Sequence, residues 1–170
     1  MTTSIDLLVD GFGRIRGAVR RVVRGLTPDD LAVRVDDGAN SIGWLIWHLT
    51  RVQDDHVAEV ADSDQVWTDA GWFERFGLPF PADATGFGQS SKEVAQVVGL
   101  TAELLIGYHE AVHDRTVRFI HGLSDPDLSR IVDTSWDPPV TLGVRLVSVI
   151  ADDLQHVGQA AFVARMVTRR

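Results

Sequence analysis

Apolar residues recur every three or four positions in four stretches of the chain, and this spacing predicts four long helices. Leu7, Leu8, Phe12, Ile15, Val19, Val22 and Val23 form the first stripe, between Asp6 and Gly25, because residues three and four apart share one face of an α-helix. The second helix starts at a cap, Asn40 or Ser41, and runs through Trp44, Leu45, Leu49 and Val52 to about Ala61. The third spans Ser91 to Gly122, with a break expected near Gly99, and places Leu104, Leu105, Tyr108, Val112, Thr116 and Phe119 on one face. The fourth spans Thr141 to about Thr168 and is apolar at Leu142, Leu146, Val149, Ile150, Val157, Ala160, Ala161 and Ala164. Thr27-Pro28-Asp29-Asp30 and Ser124-Asp125-Pro126-Asp127 each have the form of a cap followed by one helical turn. No alternating run of strand length competes with these stripes. The expected fold class is therefore all-α, a four-helix bundle.

The connection between helices two and three is unusually long. Asp62 to Ser91 carries Gly71, Gly77, Pro79, Pro81, Gly86 and Gly88 among aromatic residues, with room for a short helix at Trp72 to Phe76. A stretch of this length without periodicity predicts a loop that covers a functional site, with a partner surface as the plainer alternative.

Composition narrows the picture. A chain of 170 residues, 45% of them apolar, can bury one core, so residues 1–170 are expected to form a single domain. Arg, Asp or Glu interrupts every apolar segment before it reaches membrane-spanning length. Met1 to Asp10 lacks the basic start and apolar middle of a secretory signal, so the expected compartment is the cytoplasm. The net charge of -8, from 24 acidic and 16 basic residues, disfavours nucleic acid, which needs a basic patch. The arginines of Arg14 to Arg24 and Arg165 to Arg170 are expected on solvated helix faces. There is no cysteine, which excludes disulfides, a Cys-rich zinc site and a protein thiol nucleophile.

Six histidines remain to be sorted. His156 follows Asp152 by four residues, which sets both on one helix face a turn apart, within a stripe expected to face the bundle. His48 sits in the apolar run from Ile42 to Leu49, between Trp44 and Trp47. Two histidines and a carboxylate would make an open site of the kind catalytic zinc uses, and iron or nickel would accept the same donors. Asp153, three residues before His156, points nearer the centre of the apolar face and is the reserve ligand. His109 and His113 are a competing pair, with His113 expected to be mostly solvated. His56 lies about 12 Å along the helix from His48, too far to share its ion, and His121 lies at a helix end. Gly86 and Gly88 are expected as loop turns. No phosphate loop, Gly-x-Ser-x-Gly elbow or His-Glu-x-x-His pattern is present.

Two segments, Asn40-Ser41-Ile42-Gly43-Trp44-Leu45-Ile46-Trp47-His48-Leu49 and Asp152-Asp153-Leu154-Gln155-His156-Val157-Gly158-Gln159, resemble the signature segments of DinB-like proteins, which include mycothiol-dependent transferases and isomerases. The resemblance covers nearly the whole chain in helix order, and about twenty residues in specific motifs. It implies a DinB-like four-helix bundle, often a homodimer, with a metal held by one His of helix two and two ligands of helix four. His48, Asp152 and His156 match those three positions. Asp152 stands where many members have His, which looks like the His-carboxylate-His version of a mycothiol-dependent maleylpyruvate isomerase.

The resemblance thus implies a zinc-dependent S-transferase that joins a small thiol, mycothiol or a relative, to an electrophile. A zinc-bound thiol ionises near neutral pH, which would supply a nucleophile to a chain without cysteine. Arg51 and Arg165 are candidates for anionic groups of the thiol, and Trp47, Trp72 and Trp136 for walls of the electrophile pocket, with the loop settings favouring Trp72 and Trp136. The alternatives are a thiol-assisted isomerase of an unsaturated acid, a non-enzymatic metal-binding bundle, and a buried polar cluster that holds no metal.

Overall fold

The computed structural model describes residues 2–168. Helices α1 (Ser4–Val23), α3 (Ile42–Ala61), α7 (Ala102–His121) and α8 (Leu142–Val167) form the bundle, with short helices α2 (Pro28–Ala32), α4 (Val66–Asp69), α5 (Trp72–Phe76) and α6 (Ser91–Val94) in the connections. Each long helix begins where a side-chain oxygen takes an otherwise unpaired backbone N–H. Thr3 caps α1 through Asp6, Ser41 caps α3 through Trp44, Thr101 caps α7 through Leu104, and Thr141 caps α8 through Val144. Of the two caps expected for helix two, Ser41 is the one used.

The helices surround one apolar interior. Phe12, Ile15 and Val19 of α1, Ile42, Leu45, Ile46 and Leu49 of α3, Leu105, Tyr108 and Val112 of α7, and Leu146, Val149, Val157 and Ala160 of α8 are all buried. Helix α8 packs most extensively on α3, and α1 lies against both α7 and α8. Helices α3 and α8 run antiparallel, since His48 meets His156 at one level and His56 meets Arg145 at another.

The break expected near Gly99 is present: α6 ends at Val94, Gly99 has a φ of +74°, and α7 starts at Ala102. Two features differ from the sequence expectation. A two-stranded antiparallel clasp, β1 (Ile131–Asp133) with β2 (Val140–Thr141), precedes α8. Strands of three and two residues are too short for period-two alternation to register. His113 is buried rather than solvated, because α1 lies along that flank of α7 and covers it. Among the described residues, no helix is long and apolar enough to cross a membrane. The expected C-terminal Arg169 and Arg170 lie outside the described residues.

Candidate metal centre

Helix α3 supplies His48, and the loop from Ala82 to Gln89 is laid over it. His48 Nδ1–H donates to the Thr85 carbonyl at 2.6 Å, which assigns the ring proton to Nδ1 and leaves the Nε2 lone pair free. The ring stacks on Trp44, with centroids 4.5 Å apart, and the Trp44 indole N–H is held by Gln89 at 2.8 Å. Gly86 makes the close approach possible. A Cβ there would lie 2.9 Å from His48 Nδ1 and 3.0 Å from Trp47, and its φ of +94° favours glycine. Burial, with His156 nearby adding to it, pushes the His48 pKa down, so the imidazole is held neutral as ligation requires.

Helix α8 supplies the rest. His156 Nε2 lies 3.5 Å from Asp152 Oδ1, close to the separation of about 3.4 Å that two ligands have on one tetrahedral ion with bonds near 2.1 Å. The His156 Nδ1 is 3.1 Å from Gln159 Oε1, an outer contact that orients the ring. His156 has its pKa raised, chiefly by the contact with Asp152, and Asp152 has its pKa lowered, chiefly by His156. One ligand atom each from His48, Asp152 and His156 lie within 4.8 Å of one another. Asp152 Oδ2 is buried with no hydrogen-bond partner, a cost that a cation between the three residues would remove. The donors present fit a divalent metal: two neutral imidazole nitrogens and one carboxylate, with room for further ligands on the cavity side.

Asp153 is not part of this cluster. It is fully buried in the bundle, and both carboxylate oxygens lack partners. Burial, then the nearby Asp152, pushes its pKa well up. One further residue along the helix turns a side chain by about 100°, and that rotation separates a ligand candidate from a core residue. Among the described residues, His109 and His113 acquire no third donor, and His109 is buried neutral with its pKa down to about 3, chiefly by burial.

A cavity of about 510 Å³ opens beside the cluster, lined by His48 and Asp152 at one end and by His56 and Arg145 at the other, with Val52 and Val149 between. None of the five residues expected to bind thiol or electrophile lines it. Arg51 is fully buried: it donates to the Ala84 carbonyl at 3.1 Å, to Gln65 at 2.8 Å and to Tyr108 at 3.3 Å, with Asp54 at 3.7 Å. The i+3 spacing from His48 turns Arg51 away from α8 and under the covering loop. Trp47 is buried against Trp67 and Phe80. Trp72 lies on Gly107, where a Cβ would come within 2.9 Å of its ring, and beneath Arg75. Trp136 stands 67% exposed in the loop between the two strands. Arg165 lines a separate groove with Arg21 and Arg24, on the α1 side of α8. Sequence reasoning missed Trp44, Thr85, Gln159 and Arg145. Trp44 and Gln159 had local signs, the i, i+4 spacing of Trp44 to His48 and the i, i+3 spacing of Gln159 to His156.

The sequence profile of the DinB superfamily matches residues 12–160. The chain belongs to the DinB superfamily. A crystal structure of a conserved protein from Enterococcus faecalis superposes with a TM-score of 0.92 at 29% identity, covering 100% of this chain and 99% of that one. A comparison with curated proteins gives no match. Profile and superposition together make the all-α, DinB-like bundle a property of this protein, and superfamily members include metal-dependent enzymes.

Proposed function

We propose that this DinB-superfamily protein is a metal-dependent S-transferase that joins a low-molecular-weight thiol, mycothiol or a relative, to an electrophile, with zinc as the metal. The observation that carries the reading is the convergence of His48, Asp152 and His156 beside a cavity, in a chain with no cysteine. A zinc ion held there would lower the pKa of a coordinated thiol and so hold it as the thiolate.

The chain's own residues perform the rest. Thr85, by accepting from Nδ1, aims the His48 Nε2 lone pair at the cluster. Gln159 does the same for His156. His156 gives up the proton that Asp152 stabilises before it can ligate, so metal uptake weakens as pH falls through the raised His156 pKa. Trp44 stacks on His48 and is held by Gln89 of the covering loop, and Val52 and Val149 give the electrophile an apolar seat.

A thiol-assisted isomerase of an unsaturated acid is the second reading, favoured by one observation, the guanidinium of Arg145 in the cavity wall.

Elemental analysis of the purified protein beside His48→Ala and Asp152→Ala, followed by titration of the metal-loaded form with mycothiol, tests the proposal. The expected result is about one zinc per chain in the parent, loss of zinc in both variants, and thiol binding only with zinc present. Protein that carries no metal, and gains no thermal stability from added zinc, sinks it.

A further inference from the structure

Arg145 belongs to the first turn of α8 and lines the cavity that the His48–Asp152–His156 cluster closes at its other end. Seven residues separate Arg145 from Asp152, about 10.5 Å along the helix. Val149 of α8 and Val52 of α3 lie between them, and Phe87 stands at the mouth, 92% exposed. The Arg145 side chain is largely enclosed, with 17% of it exposed. It donates from one terminal nitrogen to Asp133 of β1 at 2.9 Å and from the other, at 3.4 Å, to His56 Nδ1. Its Nε–H has no partner. A guanidinium carries five N–H donors, so each terminal nitrogen keeps one N–H without a partner among the described residues, and Arg145 is the one Arg or Lys among the described residues that line the cavity.

Each carboxylate of the cavity lining has a partner of its own. Asp55 also lines the cavity, but it accepts from Gln65 Nε2 at 2.7 Å. Asp152 is paired with His156. The cavity therefore has a metal-ligand cluster at one end, an apolar middle and an underused cation at the other.

We propose that Arg145, with His56 beside it, is a carboxylate-binding subsite, and that the electrophile is a monocarboxylic acid with an apolar body. The planar fork of a guanidinium takes a carboxylate through two parallel N–H bonds. An acid about as long as one para-substituted ring places its carboxylate on Arg145, its body against Val52 and Val149, and its far carbon at the cluster. The role of the acid as electrophile rests on the transferase reading; the subsite itself does not.

Calorimetric titration of the full chain with 4-methylbenzoate, 4-methylbenzamide and 4-methylbenzamidine, metal-free and zinc-loaded, tests this. Parent protein should bind the carboxylate roughly tenfold more tightly than the amide in both forms, the strength of one charge-assisted contact. Arg145→Gln should bring that ratio close to one. Asp133→Asn, which leaves Arg145 in place and removes its competing carboxylate, should bind 4-methylbenzoate at least as tightly as the parent. This second variant decides the matter if Arg145→Gln does not fold. Equal binding of acid and amide by the parent, a preference for the benzamidine cation, weaker acid binding in Asp133→Asn, or a carboxylate preference that survives Arg145→Gln each overturns the subsite. A chain that takes up neither zinc nor mycothiol but keeps the carboxylate preference loses the transferase reading and retains the subsite; the opposite pattern removes the subsite alone.

Discussion

His48 and Arg51 lie three residues apart on α3, and the polar clusters around them are completed in opposite ways. Around Arg51 nearly every donor and acceptor is matched inside the protein. Asp54 takes the backbone N–H groups of Val66 and Trp67 and the Tyr108 hydroxyl, all within 2.9 Å, while Arg51 serves Ala84, Gln65 and Tyr108 and lies over the Trp67 ring. Around His48 the outer atoms are matched and the inner ones are not: Nδ1 is committed to Thr85, and Asp152 Oδ2 has no partner. A saturated polar cluster holds a fold together, whereas one with aligned lone pairs left over has capacity for a ligand. The two are joined, because Arg51 grips Ala84 and the next residue, Thr85, orients His48.

The largest effect expected is acid destabilisation of the interior. His109 stays neutral in the fold down to about pH 3, whereas in the unfolded chain it takes a proton near pH 6.5. Between these values the unfolded state binds the extra proton, so stability falls as pH falls, by up to about 5 kcal/mol across the window. Urea midpoints between pH 7 and pH 4 should show the fall, and His109→Gln should flatten it; an unchanged slope in that variant would remove His109 as the cause. Asp54→Ala leaves Arg51 buried without its counter-charge and should cost about 3–5 kcal/mol.

Asp152→Ala in metal-free protein should cost under about 1 kcal/mol, as for a partly exposed pair. Chemical denaturation of the two variants side by side checks the contrast, and equal losses would break the distinction between the clusters. Gly86→Ala forces a side chain onto His48 at positive φ and should cost about 1–3 kcal/mol, together with weaker zinc uptake measured by competition with a chelator. Trp136→Ala, on an exposed loop, should stay within about 0.5 kcal/mol by thermal melting.

Much of the bundle was legible in the chain because helical periodicity is local. The stripes of α1, α3, α7 and α8, the caps, and the break at Gly99 all depend on residues within a few positions of one another. The i, i+4 pair Asp152 and His156 was legible for the same reason, and the apolar setting of His48 marked it as unusual. Where Arg51, Trp47 and Trp72 would lie was not legible: they pack beneath the covering loop, and none lines the cavity between α3 and α8. That choice depends on how an irregular segment folds back, and no periodicity encodes it.

The sequence by itself determined the helices, the absence of a protein thiol, and two helical segments carrying a possible ligand set. The tertiary structure decided which carboxylate meets the histidines, since a rotation of about 100° puts Asp152 at the cavity and Asp153 in the core. It also brought Thr85 to His48 from 37 residues away and Arg145 to His56 from 89 residues away. Side chains so distant in the chain share a site only through the packing of α3 against α8 and the path of the loop across them. Such contacts arise from the burial of the whole apolar interior, to which every helix contributes at once.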